Sequence, residues 1–307
     1  MKSLYESILD DDDTLIGSVK DNTYAHTLVC KLLKGMELSK DEIKWCSSNT
    51  SKIQITKENL TTIIKLLHWK NTEISLNWLD VSQITDMSSL FGYSMFNGDI
   101  SKWNVSHVEN MSSMFFMSHY TGRNGDITNW DVRNVKDMSN MFGHSKYNGN
   151  LSKWKTINVE HMHSMFCDSN FNGTNGDISK WDVREVRDMS SMFRETSFNQ
   201  DLNNWDVSNV ENMGRMFYDS TFNGDISEWN VENLKYTYEM FCKNPVFNKD
   251  ISNWKLTSLF NADRMFTGSK FNRDLKRWGM FLPKDIIIRK VFYGSMIDKE
   301  NRPKIKR

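Results

Sequence analysis

Apolar and polar positions recur along residues 72–278 at a fixed long spacing, so internal repetition is the first property of this chain. Trp78, Trp103, Trp130, Trp154, Trp181, Trp205, Trp229, Trp254 and Trp278 are separated by 25, 27, 24, 27, 24, 24, 25 and 24 residues. Eleven residues after most of them comes Met-Phe, as in Met114-Phe115, Met192-Phe193 and Met265-Phe266. Five residues later stands a second aromatic, usually followed by Asn, as in Phe96-Asn97, Tyr147-Asn148 and Phe222-Asn223. The unit reads F-N-G-D-I-S-x-W-x-V-S-x-V-x-x-M-S-x-M-F-x-x-S-x, in roughly eight copies.

Two periods are predicted within a unit. Ile100, Trp103 and Val105 fall on a segment where Trp and Val alternate with polar residues, the pattern of a half-buried strand. Val108, Met111, Met114 and Phe115 follow at the spacing of one helical stripe, and Ser106-x-x-Glu109 and Ser208-x-x-Glu211 fit capping boxes ahead of it. Asn-Gly and Gly-Asp supply turn chemistry. The expected fold class is therefore an α/β repeat solenoid of strand-turn-helix units of about 24 residues, whose Trp, Met and Phe are buried only when neighbours stack. In such a stack the recurring Asn97, Asn148, Asn172, Asn199, Asn223, Asn248 and Asn272 are expected to form an internal ladder to turn backbone. The recurring Asp99, Asp126, Asp177, Asp201, Asp225, Asp250 and Asp274 fit Asx-turns better than a calcium column.

The flanks read differently. Residues 1–71 carry apolar stripes (Leu4, Ile8, Leu9; Leu28, Val29, Leu32, Leu33; Leu60, Ile63, Ile64, Leu67) and are expected to form a helical N-terminal cap or small domain. Asp10 to Asp13 reads as a solvated helix end. Residues 279–307 are expected to cap the other end, with Asp285 to Tyr293 as a closing strand or helix before a basic tail of Lys299, Arg302, Lys304, Lys306 and Arg307. Lys plus Arg equal Asp plus Glu at 39 each, which removes a global electrostatic case for nucleic acid and leaves only that tail for it. Mean hydropathy is −0.60, and no membrane contact is expected. Cys167 and Cys242 share one repeat position three units apart, too far to bond, and Cys30 and Cys46 read as small buried hydrophobes.

The repeated W-D-V-S-N-V-x-x-M-S-x-M-F with F-N-x-D-[IL]-S resembles the BspA-like leucine-rich-repeat family of bacterial surface proteins, mycoplasma lipoproteins and large viruses. The resemblance implies a right-handed solenoid used for adhesion or protein binding, and no reaction. Surface members carry a signal peptide, a lipobox cysteine or a C-terminal anchor; none is recognised here, so the expected location is cytoplasmic or virion-associated. The opening MKSLYESILDDDD is similar to first residues of proteins from gut Bacteroidales and their phages.

No nucleophile elbow, P-loop, zinc-protease or dinucleotide motif occurs, and His161 and His163 do not share a helix face, so the chain is read as a non-enzyme without cofactor or metal. Function is then expected on variable positions of a constant scaffold. The residue before each Trp, including Lys102, Asn129, Lys153, Lys180, Asn204 and Arg277, faces away from the indole and forms a polar row. The two 27-residue intervals carry inserts near Thr121-Gly122-Arg123-Asn124 and Asn172-Gly173-Thr174-Asn175, two coils apart and so expected on the same edge, with Arg123 as a candidate contact. A protein is the expected partner and a glycan the second class, the aromatics being expected on the buried register. The alternative function is a structural component or spacer of a larger assembly such as a phage virion.

Overall fold

The computed structural model describes residues 23–48, 52–67 and 73–304. The stripe at Leu4, Ile8 and Leu9, the Asp10 to Asp13 run, Lys306 and Arg307 lie outside these residues.

Three helices form in the N-terminal part, α1 (Thr23–Leu33), α2 (Lys40–Ser48) and α3 (Lys57–Leu67); the first and third carry the predicted stripes, and α2 lies where no stripe was read. Leu28, Val29, Leu32, Leu60, Ile63, Ile64 and Leu67 are buried in one shared core. A capping box starts α2, where Ser39 N–H donates to Glu42 Oε2 at 2.7 Å and Glu42 N–H to Ser39 Oγ at 3.3 Å. Strand β1 (Ile53–Gln54) pairs in parallel with β2 (Leu79–Asp80), and Trp45 meets Trp78 edge-on at 5.8 Å, which joins the helical part to the first copy.

From Trp78 onward the copies stack in register through their side chains. Phe91, Phe115, Phe142, Phe166, Phe193, Phe217, Phe241, Phe266 and Phe292 form one column with successive centroids 5.2–5.9 Å apart. The second aromatics stack at 6.0–6.3 Å. Indoles stack at 6.2–6.4 Å, and each is nearly fully buried. Every indole from Trp130 to Trp278 donates Nε1–H to the carbonyl of the Ile or Leu that lies three residues before the previous copy's Trp, as in Trp181 to Leu151 at 3.0 Å and Trp229 to Leu202 at 2.8 Å, and Trp103 donates to Leu76, two residues before Trp78. Trp rather than Phe at that position adds a bond between layers, and the buried indole N–H finds its acceptor in a carbonyl that also closes the turn of its own copy.

The units are not strand-turn-helix. Between residues 81 and 275 the described backbone holds neither a helix nor a strand, only turns and isolated parallel bridges from Asp86↔Asn110 through Asn261↔Ile287. The Ser106 and Ser208 sites consequently are not capping boxes: Glu109 pairs with Lys136 and Glu211 with Lys235, each at 2.8 Å. Two residues per copy occupy left-handed backbone, such as Ser113 (φ 56°) with Met117 (φ 53°) and Ser191 (φ 57°) with Glu195 (φ 57°). Between them the amides alternate in use. Met111, Ser113, Phe115 and Met117 donate to Asp137, Ser139, Met141 and Gly143 of the next copy at 2.8–2.9 Å, while Met114, Phe116 and Ser118 close turns three residues back. The steric reason lies in the spacing. Rings repeat every 5.2–6.4 Å, whereas packed helices need about 8–10 Å between axes, so coils this close bond to each other as strands do.

Asp285 to Tyr293 is neither strand nor helix but a ninth layer. Ile287 takes the bridge position, Lys290 (φ 52°) and Gly294 (φ 67°) take the two left-handed positions, and Phe292 ends the ring column.

Candidate functional site

The Asn ladder forms except at Asn172, whose Oδ1 accepts Thr174 N–H of its own insert at 2.9 Å, and its members are half-buried or exposed rather than internal. Asn97 Oδ1 accepts Thr121 N–H at 2.8 Å, Asn148 accepts Asn172 N–H at 3.1 Å, and Asn199, Asn223 and Asn248 accept the next Asn N–H at 2.6, 3.0 and 2.9 Å. The Asp column is mostly Asx-turns: Asp99, Asp126, Asp177, Asp225, Asp250 and Asp274 each accept the N–H two residues on at 2.8–3.0 Å, whereas Asp201 accepts Asp225 N–H of the next copy at 2.7 Å. A carboxylate held by its own turn is already supplied with a donor, which is why stacked acids coexist here.

With these columns engaged, the polar row remains. Lys102, Asn129, Lys153, Lys180, Asn204 and Arg277 are all exposed, as is Arg123. They sit on turns rather than on a strand, and Asn77, the row's first member, is buried, with Oδ1 accepting Lys102 N–H at 2.8 Å. Row members touch across copies: Lys153 Nζ donates to Asn129 Oδ1 at 3.0 Å and Arg277 Nη1 to Asn253 Oδ1 at 2.5 Å. None of the row's cations pairs with a carboxylate among the described residues. The nearby acids are taken by arginines two residues on: Arg133 beside Asp131 and Arg184 beside Asp182, both at 2.7 Å, hold those carboxyls below the usual range. From Lys102 to Asn204 the row therefore carries lysines without a carboxylate partner, whereas farther on it holds the exposed acid Glu228 before Arg277.

Both inserts are closed loops strapped to neighbouring layers. Gly122 (φ 76°) and Gly173 (φ 79°) turn the chain, Asn124 Nδ2 donates to Asn97 carbonyl at 2.6 Å, and Asn175 donates likewise to Asn148. Gln200 locks the second insert further, donating to the carbonyls of Gly173 and Gly176 at 2.7 and 3.1 Å. Arg123 is therefore held on a fixed turn, with its N–H on Thr121 Oγ1 at 3.3 Å.

Sequence reasoning missed two surface features on the bridge-and-turn segment. One is an alternating ladder, Glu109, Lys136, Glu160, Arg187, Glu211 and Lys235, at the position before each bridge; reading that position copy by copy shows it. The other is surface aromatics. Exposed Tyr93 and His144 contact half-buried Phe116 edge-to-face at 5.6 and 5.4 Å, and exposed Tyr236 and Phe260 meet at 6.0 Å. The expectation that aromatics keep to the buried register is corrected for these residues, which follow Met-Phe or flank the bridge and lie off the interior columns.

Stacked copies, constant inside and variable outside, define a repeat protein. The family described as "Mycoplasma protein of unknown function, DUF285" matches over residues 59–174, 168–278 and 218–294, and the chain belongs to it. No curated protein and no solved structure matches the chain.

Proposed function

We propose that the chain is a non-enzymatic protein-interaction module, a solenoid of the BspA-like leucine-rich-repeat kind, that binds an acidic protein surface through Lys102, Lys153 and Lys180 together with Arg123. The carrying observation is that, among the described residues, none of these row lysines has a carboxylate partner, in a chain whose formal net charge is zero. A scaffold that pairs Asp131 and Asp182 with their own arginines and leaves the row lysines without a carboxylate presents a strip of one sign from Lys102 to Lys180, which steers and orients a partner of opposite sign. Asn129 and Asn204 add neutral hydrogen-bonding groups along it, and Glu228 ends it before Arg277. Catalysis has no support in this arrangement, because the recurring carboxylates and amides each serve the backbone.

The test is cross-linking capture from the source cell with the unmodified chain, a Lys102→Glu/Lys153→Glu/Lys180→Glu variant, and a control reversal, Lys136→Glu, on the alternating ladder. The proposal expects a defined partner lost with the triple reversal, weakened by Arg123→Ala and retained by the control, all with unchanged circular dichroism. Retention by the triple variant overturns it.

A further inference from the structure

We propose that the C-terminal end of the stack is a binding site for an amphipathic monocarboxylate, an acyl chain whose carboxylate pairs with Arg302. Every earlier layer is covered by the next, but the ninth layer, residues 286–294, has no tenth. The chain returns over part of that end. Leu275 N–H donates to Asn301 carbonyl at 2.8 Å, and Lys304 passes so close to Gly279 that a Cβ there would meet its carbonyl oxygen at 2.7 Å.

Between the returning segment and the last layer lies a cleft of about 340 Å³, lined by Leu259, Ala262, Met265, Trp278, Ile288 and Val291, with Phe292 and Arg302 at one side. The lining is apolar because these are the interior positions of the last layers. Arg302 is the exception. Its guanidinium lies 5.4 Å over the Phe292 ring and Nη2 donates to Ile297 carbonyl at 3.1 Å, but Nε is buried and has no partner. A guanidinium N–H withdrawn from water without an acceptor is costly, and a carboxylate supplies that acceptor in planar, charge-assisted geometry. No Asp or Glu lines the cleft, whereas Lys290 does, so the local charge also favours an anion.

The two features select the ligand together. Apolar walls take a hydrocarbon chain, the Arg302 guanidinium, whose bonds are incompletely satisfied and beside which Lys290 also lines the cleft, takes its single charged head, and the lining offers too few polar groups for a sugar or nucleotide. The volume lies at the lower end of ordinary ligand sites, suiting a medium-length chain.

Isothermal titration calorimetry of the full chain with decanoate tests this, with decanol as a chain-only and acetate as a charge-only probe. Saturable binding of decanoate at one per chain is expected, with weaker decanol and no acetate. Arg302→Met, which keeps an apolar stem over Phe292, is expected to weaken decanoate about tenfold or more while leaving decanol unchanged. Ala262→Leu, which fills the cleft, should abolish both. Equal decanoate affinity in Arg302→Met, or no saturable binding to the unmodified chain, overturns the site. Should Arg302→Met fail to fold, carboxyl-labelled decanoate bound to the unmodified chain decides by NMR: a carboxyl pKa below that of the free acid supports the pairing, and one unchanged or raised refutes it.

Discussion

Ser191 separates the turn-built repeat from a helical one by the sign of a single substitution. It sits between Met189 and Met192, where the sequence pattern predicts a helix interior, yet its φ is 57°. Its N–H donates to Gly214 carbonyl at 2.9 Å and its carbonyl accepts Arg194 N–H at 3.2 Å, so the backbone is fixed from both sides. An L-residue in this region costs about 1–2 kcal/mol, which glycine does not incur. Glycine loses about 0.5–1 kcal/mol more chain entropy on folding, so Ser191→Gly should be net stabilising by about 0.5–1 kcal/mol. In a helix the same change would cost about 0.5 kcal/mol, because glycine lies below serine in propensity. Ser191→Val sharpens the contrast: a β-branched side chain at positive φ is a steric outlier and should cost about 2 kcal/mol or more. Urea unfolding followed by tryptophan fluorescence and far-ultraviolet circular dichroism gives both numbers. A destabilised Ser191→Gly together with a tolerated Ser191→Val would refute the turn geometry and restore the helix.

Three further outcomes are expected. Trp181→Phe keeps a stacked ring but loses the bond to Leu151 carbonyl; because Trp154 N–H still occupies that oxygen at 3.2 Å, the lost bond costs about 1 kcal/mol, and Trp181→Ala about 3–5 kcal/mol, by the same denaturation assay. Asn223→Ala removes the acceptor of Asn248 N–H and should cost about 1–2 kcal/mol, whereas Asn230→Ala, an exposed position after Trp229, should lie within about 0.5 kcal/mol. Burial raises the Glu239 carboxyl, but Arg215 at 2.7 Å and Arg264 at 3.3 Å outweigh it and hold the carboxyl below its ordinary value. Its folded pKa being depressed, the stability it contributes is present above the ordinary glutamate value and lost as pH falls through the folded one. Urea midpoints measured below about pH 4.5 should therefore drop less steeply for Glu239→Gln than for the unmodified chain.

The sequence by itself determined which side chains face inward. The spacing of Trp78 to Trp278 and of the Met-Phe pairs fixed the columns, and the recurring Asn97 and Asp99 types fixed the ladder and the Asx-turns, because each is a local or once-per-copy property that any in-register stack must satisfy. The exposure of Lys102, Lys153 and Lys180 followed from the same alternation around each indole. Local pattern alone favoured a helix at Val108 to Phe115, since the apolar spacing there serves a tight series of turns as well as it serves a helical stripe. Only stacking decides between them: at 5.2–5.9 Å between Phe rings a helix does not fit, and the amides go across to the next copy. The left-handed positions were illegible for a related reason. Glycine marks them at Gly268 and Gly294, but elsewhere they hold Ser, Asn, Asp, Arg, Lys, Glu, Tyr, Met or His, held there by bonds between layers. The end of the chain followed suit, since Ile286 to Gly294 departs from the repeat in sequence and shows itself as a ninth layer only through its bridge to Asn261 and the stacking of Phe292 on Phe266 at 5.8 Å.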